Sequence, residues 1–179
     1  MRAWVAIGSN LGDRVSACAS AIRAIAGLPD TRLDRVSSLY LTEPVGLSGC
    51  EWFVNAVAEI ETELEAGELL RALLRIEESH GRARGGERSP RVLDLDLLDA
   101  GGEQRQDPRC TLPHPRMHAR RFTLAPLAEI APGWRHPRLR ATARELLDAL
   151  DDPSRLVRIA ALAGAGQPSR PSRPSRSDP

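Results

Sequence analysis

The sequence contains no lysine: all 25 of its Lys+Arg cations are arginine. That absence excludes Schiff-base chemistry, a lysine general base and the lysine of a phosphate-binding loop. Anion binding falls to guanidinium groups, which suit phosphate through paired N–H bonds. Aromatic residues are scarce at 3%, so each ring is informative. Cysteine is equally sparse. Cys18, Cys50 and Cys110 form an odd, widely spaced trio without zinc-type spacing, which reads as reduced thiols in a cytoplasmic protein. No apolar run approaches the ~20 residues of a membrane span, and the Met1-to-Ile7 stretch lacks the length and context of a secretory signal. An excess of either charge is missing as well: 25 cations against 24 acids give a net charge of +1. A dedicated nucleic-acid binder usually shows a basic excess.

What is present is a hydrophobic fraction of 41% over 179 residues, enough for one soluble domain with a single sizeable core. From Pro168 the chain repeats Pro-Ser-Arg and offers nothing apolar to bury. The expected division is therefore a folded domain over 1–163 and a disordered tail over 164–179.

Periodicity predicts a buried strand from Ala3 to Gly8, then a helix opened by Gly12-Asp13 with Val15, Cys18, Ile22 and Ile25 at helical spacing. A second strand spans Arg32 to Thr42, and a Gly/Pro-rich loop follows. The third strand, Trp52 to Glu61, alternates. Val54, Ala56, Ala58 and Ile60 take one face, and Phe53, Asn55, Val57 and Glu59 the other. A second helix runs from Ala66 to His80. The fourth strand, Arg91 to Leu98, sets Leu93, Leu95 and Leu97 against Asp94 and Asp96. Helical stretches from Arg121 to Ala131 and, after the capping box Thr142-Ala143-Arg144-Glu145, to Leu150 complete the reading. The order is βαββαβ with C-terminal helical additions. It predicts a mixed α/β (α+β) ferredoxin-like fold: an antiparallel sheet with both main helices on one face. The face carrying Phe53, Asn55, Asp94 and Asp96 is left for a ligand.

Asp94 and Asp96 project the same way from a strand, so their carboxylates can share a divalent cation. Mg²⁺ fits, because it takes one or two carboxylates and fills its shell with phosphate oxygens and water. The alternative is a solvated strand face carrying two acids. Immediately upstream, Arg82, Arg84, Arg88 and Arg91 are interleaved with Gly81, Gly85 and Gly86. A flexible cationic loop beside a metal pair suits phosphoryl transfer; taken alone it is a solvated charged loop. Phe53 and Phe122 could sandwich a flat heterocycle whose edge Asn55 reads. Phe122, ahead of Leu124 and Leu127, reads equally as core. His114, between Pro113 and Pro115, reads as structural.

These residues carry a resemblance to the 6-hydroxymethyl-7,8-dihydropterin pyrophosphokinase family of folate biosynthesis. The matching pieces are Ala6 to Leu11, Ser38 to Gly46, Phe53 to Ala56, Arg75-Ile76-Glu77, Gly81-Arg82, Pro90 to Leu97, Pro113-His114, Arg120 to Phe122 and Pro126-Leu127. The resemblance implies transfer of pyrophosphate from ATP to the pterin hydroxymethyl group, releasing AMP, with two Mg²⁺ held by Asp94 and Asp96. It implies a catalytic set of Arg82, Arg91 and Asp96, and a pterin site of Thr42, Pro44, Val45, Phe53, Asn55 and Phe122. Around the nucleotide it implies Leu70, Glu77, Arg84, Arg91, Leu97, Arg109, Thr111, His114 and Arg120. The partners it implies are these two small molecules, with no nucleic acid and no membrane, on a monomer. The chain departs from the family where Trp-Gly commonly precedes Pro-Arg: only Ser89 separates Arg88 from Pro90, so an aromatic cover is lost. Two other readings were open on the residues alone. One is a different nucleotide transferase with a paired-Asp strand; the other is a non-catalytic RNA-binding module, which would favour a basic sheet with several exposed rings.

Overall fold

The computed structural model describes residues 1–44, 51–81 and 91–160. The expected tail, Cys50, Val45, and the arginines Arg82, Arg84 and Arg88 lie outside the described residues.

Strand β1 (Arg2–Ser9) is central, because its residues are apolar enough to be buried on both faces. It pairs antiparallel with β4 (Phe53–Thr62) on one side and β5 (Asp94–Ala100) on the other. The predicted second strand is two strands, β2 (Thr31–Val36) and β3 (Leu39–Thr42), which pair with the two halves of β4. Ser37 makes the break without loss of bonding: its hydroxyl accepts from the Val57 N–H at 2.9 Å, and its own N–H donates to Val57. The sheet order is β5-β1-β4-β3-β8, with β2 also on β4. Strand β8 (Leu156–Ala160) pairs with β3 and was not legible in the sequence. Nor was the hairpin of β6 (Arg105–Asp107) and β7 (Cys110–Leu112).

Helices α1 (Arg14–Ala26) and α2 (Ala66–Ser79) cover one face. Asp13 starts α1 by accepting from the Ser16 N–H at 3.0 Å, a side-chain cap. Under the two helices lie Val5, Ile7, Val54, Ile60, Leu95 and Leu97, packed in one core with Leu69 and Leu73 of α2, so the predicted alternation of β4 and β5 holds. Cys18 and Cys110 are buried free thiols at this core, and burial pushes the Cys18 thiol up to about 12.

Placing both main helices on one side predicts an open opposite face, but that face is covered along part of its length. Helices α3 (Arg121–Ile130) and α4 (Ala143–Asp148) form a second layer there. Trp4, Val57 and Leu98 of the sheet pack in one cluster with Met117, Leu127, Ala143 and Trp134. These sheet residues come one each from three strands, so no single stretch of sequence displays the second core. A register shift assists it: Trp4 pairs with Asp99 while Val5 pairs with Leu97, so Leu98 is the extra residue of a bulge. Phe53, Asn55, Asp94 and Asp96, at one end of the sheet, are not among the residues of this second cluster. Among the described residues no helix is long and apolar enough to cross a membrane.

Candidate active site

Gly8 forms the floor at that end of the sheet. It pairs with Asn55 on β4 and with Asp94 on β5. A Cβ there would lie 2.8 Å from Asn55 Oδ1, so a side chain at this position would displace the Asn55 amide, while Asp94 Cβ at 4.0 Å would be in ordinary contact.

On one side of Gly8, Asn55 is buried and donates from Nδ2 to Thr42 Oγ1 at 2.6 Å. This bond orients the amide before any ligand arrives. Thr42 sits directly opposite Phe53, and Pro44 follows just past the end of β3. Phe53 and Phe122 are each half-buried, and among the described residues neither stacks on another ring. Phe122 is the second residue of α3, with the Arg120 guanidinium 5.3 Å from its ring centre. Half-buried rings next to a pre-oriented amide can take a flat heterocycle.

On the other side, Asp94 and Asp96 are 24% and 37% exposed and share a face of β5. Arg91 Nη1 lies 2.7 Å from Asp94 Oδ1. Arg120 Nη1 and His114 Nε2 lie 3.7 and 3.9 Å from Asp96 Oδ2. Burial holds the His114 pKa below its ordinary value against the pull of Asp96, so the ring is neutral near pH 7. Its Nδ1 accepts from the Arg116 N–H at 3.3 Å, which places the proton on the Nε2 that faces Asp96. Burial also lowers the Arg120 pKa.

Sequence reasoning missed Asn10. Its Oδ1 accepts from the Arg91 N–H at 2.6 Å, and its own N–H donates to the Arg91 carbonyl at 3.0 Å. The turn after β1 thereby fixes the start of the acidic strand. Asn10 lies in the Ala6 to Leu11 piece of the resemblance, but the residues themselves read only as a Gly-Ser-Asn turn and gave it no role. Glu77 is fully buried on α2 and accepts from the Leu95 N–H at 2.7 Å, fastening the edge strand that presents both aspartates. Leu97 is in the first core, on the opposite face of β5 from Asp96, and Leu70 packs against that core. Arg109 is exposed on the β6–β7 turn, and Thr111 donates to the Asp107 carbonyl at 2.9 Å. Arg91, Asp94, Asp96, His114 and Arg120 are thus one connected charged cluster, whereas Leu70, Leu97, Arg109 and Thr111 stand outside it. Among the described residues no group of three or more His, Cys, Asp or Glu could hold a metal ion. Any cation here rests on the Asp94–Asp96 pair and on oxygens brought by a ligand.

The family described as 7,8-dihydro-6-hydroxymethylpterin-pyrophosphokinase (HPPK) matches residues 4–132. A protein of Methylorubrum extorquens named 2-amino-4-hydroxy-6-hydroxymethyldihydropteridine pyrophosphokinase is 41% identical over 162 residues, covering 88% of this chain and 98% of that protein. Its namesake from Pseudomonas aeruginosa is 44% identical over 136 residues, 76% of this chain and 84% of the relative. The one from Haemophilus influenzae is 46% identical over 129 residues, 72% and 81% respectively. Among solved structures, wild-type Plasmodium falciparum HPPK-DHPS with pteroate superposes with a TM-score of 0.62 at 12% identity. The match covers 82% of this chain but spans only 44% of that longer one, so it shows a shared fold. By its matched segment and its near-full-length relatives, the chain belongs to the 7,8-dihydro-6-hydroxymethylpterin-pyrophosphokinase family.

Proposed function

We propose that this protein transfers the pyrophosphate group of ATP to the hydroxymethyl group of 6-hydroxymethyl-7,8-dihydropterin, releasing AMP, as a step of folate biosynthesis. One observation carries the reading: the Asn55–Thr42 slot and the Asp94–Asp96 pair lie on either side of Gly8. A pterin edge held by Asn55 would point its substituent toward phosphates gathered at the aspartates. The hydroxymethyl oxygen attacks the β-phosphorus and loses its proton, while the bond from that phosphorus to the AMP oxygen breaks. No covalent enzyme intermediate is needed.

The aspartates fit Mg²⁺ by donor chemistry, being hard, partly exposed carboxylate oxygens on one face. When bound, Mg²⁺ supplies neutralisation and alignment of the phosphate oxygens. Arg91 and Arg120 are placed to receive the phosphate charge at the same cluster. By resemblance, Arg82 is assigned a catalytic role and Arg84 a place at the nucleotide. Leu70, Glu77, Leu97, Arg109, Thr111 and His114 keep their assignment around the nucleotide, with Glu77 acting through β5. The reading further takes the protein to be a cytoplasmic monomer.

Measuring AMP release from ATP with and without the hydroxymethyl pterin tests the reaction. Release that requires the pterin and a divalent cation is the expected result; ATP turnover indifferent to pterin would overturn it. Phe53→Ala tests the slot. Losing one stacking face should weaken pterin binding by about 1–3 kcal/mol, on the scale of base stacking. ATP affinity should barely change. Because Phe53 is only half-buried, the variant should lose less stability than the about 3–5 kcal/mol that truncating a fully buried phenylalanine costs, which a thermal melt checks. Unchanged pterin affinity with a large stability loss would make Phe53 packing alone.

A further inference from the structure

The chain beyond the family-matched segment makes contacts that the reaction alone does not explain. We propose that residues 151–158 form a strap that holds the walls of the pterin slot at their working separation, with Asp152 and Arg155 as its positioning residues. The inference rests on the pterin reading above and adds to it the device that sets the slot's width.

Three contacts converge on residues adjacent to the slot. First, Arg120, the residue before α3, supplies no side-chain cap to that helix. Asp152 takes its place: its Oδ2 accepts from the Arg121 N–H at 3.0 Å, and its carbonyl accepts from Arg121 Nε at 2.9 Å. Phe122 is the next residue. Second, Glu43 and Arg155 bond reciprocally. The Glu43 N–H donates to the Arg155 carbonyl at 2.9 Å, and the Arg155 N–H donates to Glu43 Oε2 at 3.2 Å. Glu43 lies between Thr42 and Pro44, and Thr42 itself pairs with Leu156. Third, the Arg155 guanidinium lies 5.2 Å from the Trp52 ring centre, beside Phe53.

Further along, the same strand fixes the other end of α3. Arg158 donates from Nε to Ser38 Oγ at 2.7 Å, and its Nη2 lies 3.1 Å from Glu129 Oε1. Glu129 of α3 also accepts from the Ser38 N–H at 2.9 Å, the Ser38 hydroxyl at 2.7 Å and the Tyr40 hydroxyl at 2.8 Å. Helix α3 carries Phe122 yet is not part of the sheet that carries Thr42, Phe53 and Asn55. Its C-terminal end is held to the sheet directly by Ser38, Tyr40 and Arg35 as well as by Arg158. At the Phe122 end Asp152 supplies the cap, so the strap acts mainly on the end that carries the ring. A sandwich of two rings is sensitive to that spacing, because stacking attraction falls steeply once contact is lost. Burial pushes the Asp152 carboxyl up, but hydrogen bonds from Ser154 and from Arg121 outweigh it and leave the group below the ordinary range. It is therefore an ionised cap at neutral pH.

The test uses the full chain and steady-state AMP release, varying pterin and ATP separately. Asp152→Ala should raise the pterin KM by roughly tenfold, because a shifted Phe122 ring forfeits part of its stacking contact with the bound heterocycle. The ATP KM and the kcat at saturating pterin should stay within about twofold, the pattern of lost binding rather than lost chemistry. Asp152→Asn keeps an acceptor for the Arg121 N–H and should restore most of the pterin affinity. Arg155→Ala leaves the backbone pairing intact and should raise the pterin KM by a smaller factor; it decides the matter if Asp152→Ala fails to fold. An unmoved pterin KM in both alanine variants overturns the strap. So does a parallel loss of ATP affinity and kcat that tracks the fall in melting temperature. A wild-type chain that releases no AMP overturns the pterin reading and the strap together, whereas an active wild type with indifferent variants overturns the strap alone.

Discussion

Asp96→Ala should lower pterin-dependent AMP release by at least roughly 10²–10³-fold, the cost of removing one group that organises charge in a transition state. Asp96 presents its carboxylate 37% exposed, on the β5 face shared with Asp94, so it contributes no packing that the fold needs. Its neighbours decide the stability side. Removing the carboxylate relieves repulsion from Asp94 but takes a counter-charge from Arg120, 3.7 Å away. Both partners are partly solvated, so these opposed changes are small and the melting temperature should hold within a few degrees. Asp96→Asn keeps the shape and removes only the charge, and it should be nearly as damaged as alanine. The decisive measurements are turnover against divalent-cation concentration and a thermal melt on the same preparations. Activity within a few-fold of wild type would remove Asp96 from the metal pair. An asparagine variant much more active than alanine would assign the residue a hydrogen-bonding role in place of a charged one.

The sequence displayed this site because its residues sit on strands of simple period. The alternation of Leu93, Leu95 and Leu97 against Asp94 and Asp96 is visible in five letters, and the structure buries the leucines under α2 while the acids face away. The same holds for Val54 and Ala56 against Asn55. What alternation could not disclose is how far the second face stays free. Trp4, Val57 and Leu98 belong to three strands far apart in sequence, and their cover includes Trp134, in a Pro/Gly-containing stretch that reads as loop. Asn10 and Asp152 were invisible for a related reason. Each works by bonding backbone N–H groups distant along the chain, Arg91 in one case and Arg121 in the other. Such bonds leave no spacing pattern. Strand β8 was missed because it is an edge strand, with Val157 48% and Ile159 42% exposed, next to a segment whose composition reads as tail. A half-solvated edge lacks the apolar continuity by which buried strands announce themselves.

The second core should show its importance in Trp134→Phe, with an expected loss of about 2–4 kcal/mol of stability near pH 7. Trp134 is only 9% exposed, packs at 5.8 Å against Trp4, and donates from Nε1 to Asp99 Oδ2 at 3.1 Å. Phenylalanine loses part of the ring volume and the whole of that donor. The acceptor left behind is the larger consequence, because Asp99 is 1% exposed and its charge cannot be rehydrated. Burial raises the Asp99 carboxyl above its ordinary value, and the bonds from Trp134 and from the Ala100 and Gly102 N–H groups hold the rise back. A carboxyl whose folded pKa is raised binds more protons folded than unfolded, starting near the unfolded value of about 3.9. Stability therefore falls as pH climbs from there through the folded pKa, and levels off above it. Removing the Trp134 donor raises the folded pKa further and widens that window. The deficit of Trp134→Phe should accordingly be smallest at about pH 4 and grow toward about pH 7, by an amount set by the added shift at ~1.4 kcal/mol per unit. Urea melts of both proteins at the two pH values measure it. A deficit independent of pH would mean that the lost stability is packing alone. A deficit that shrank as pH rose would mean that Asp99 is more comfortable ionised without Trp134 than with it, which would contradict the donor assigned here.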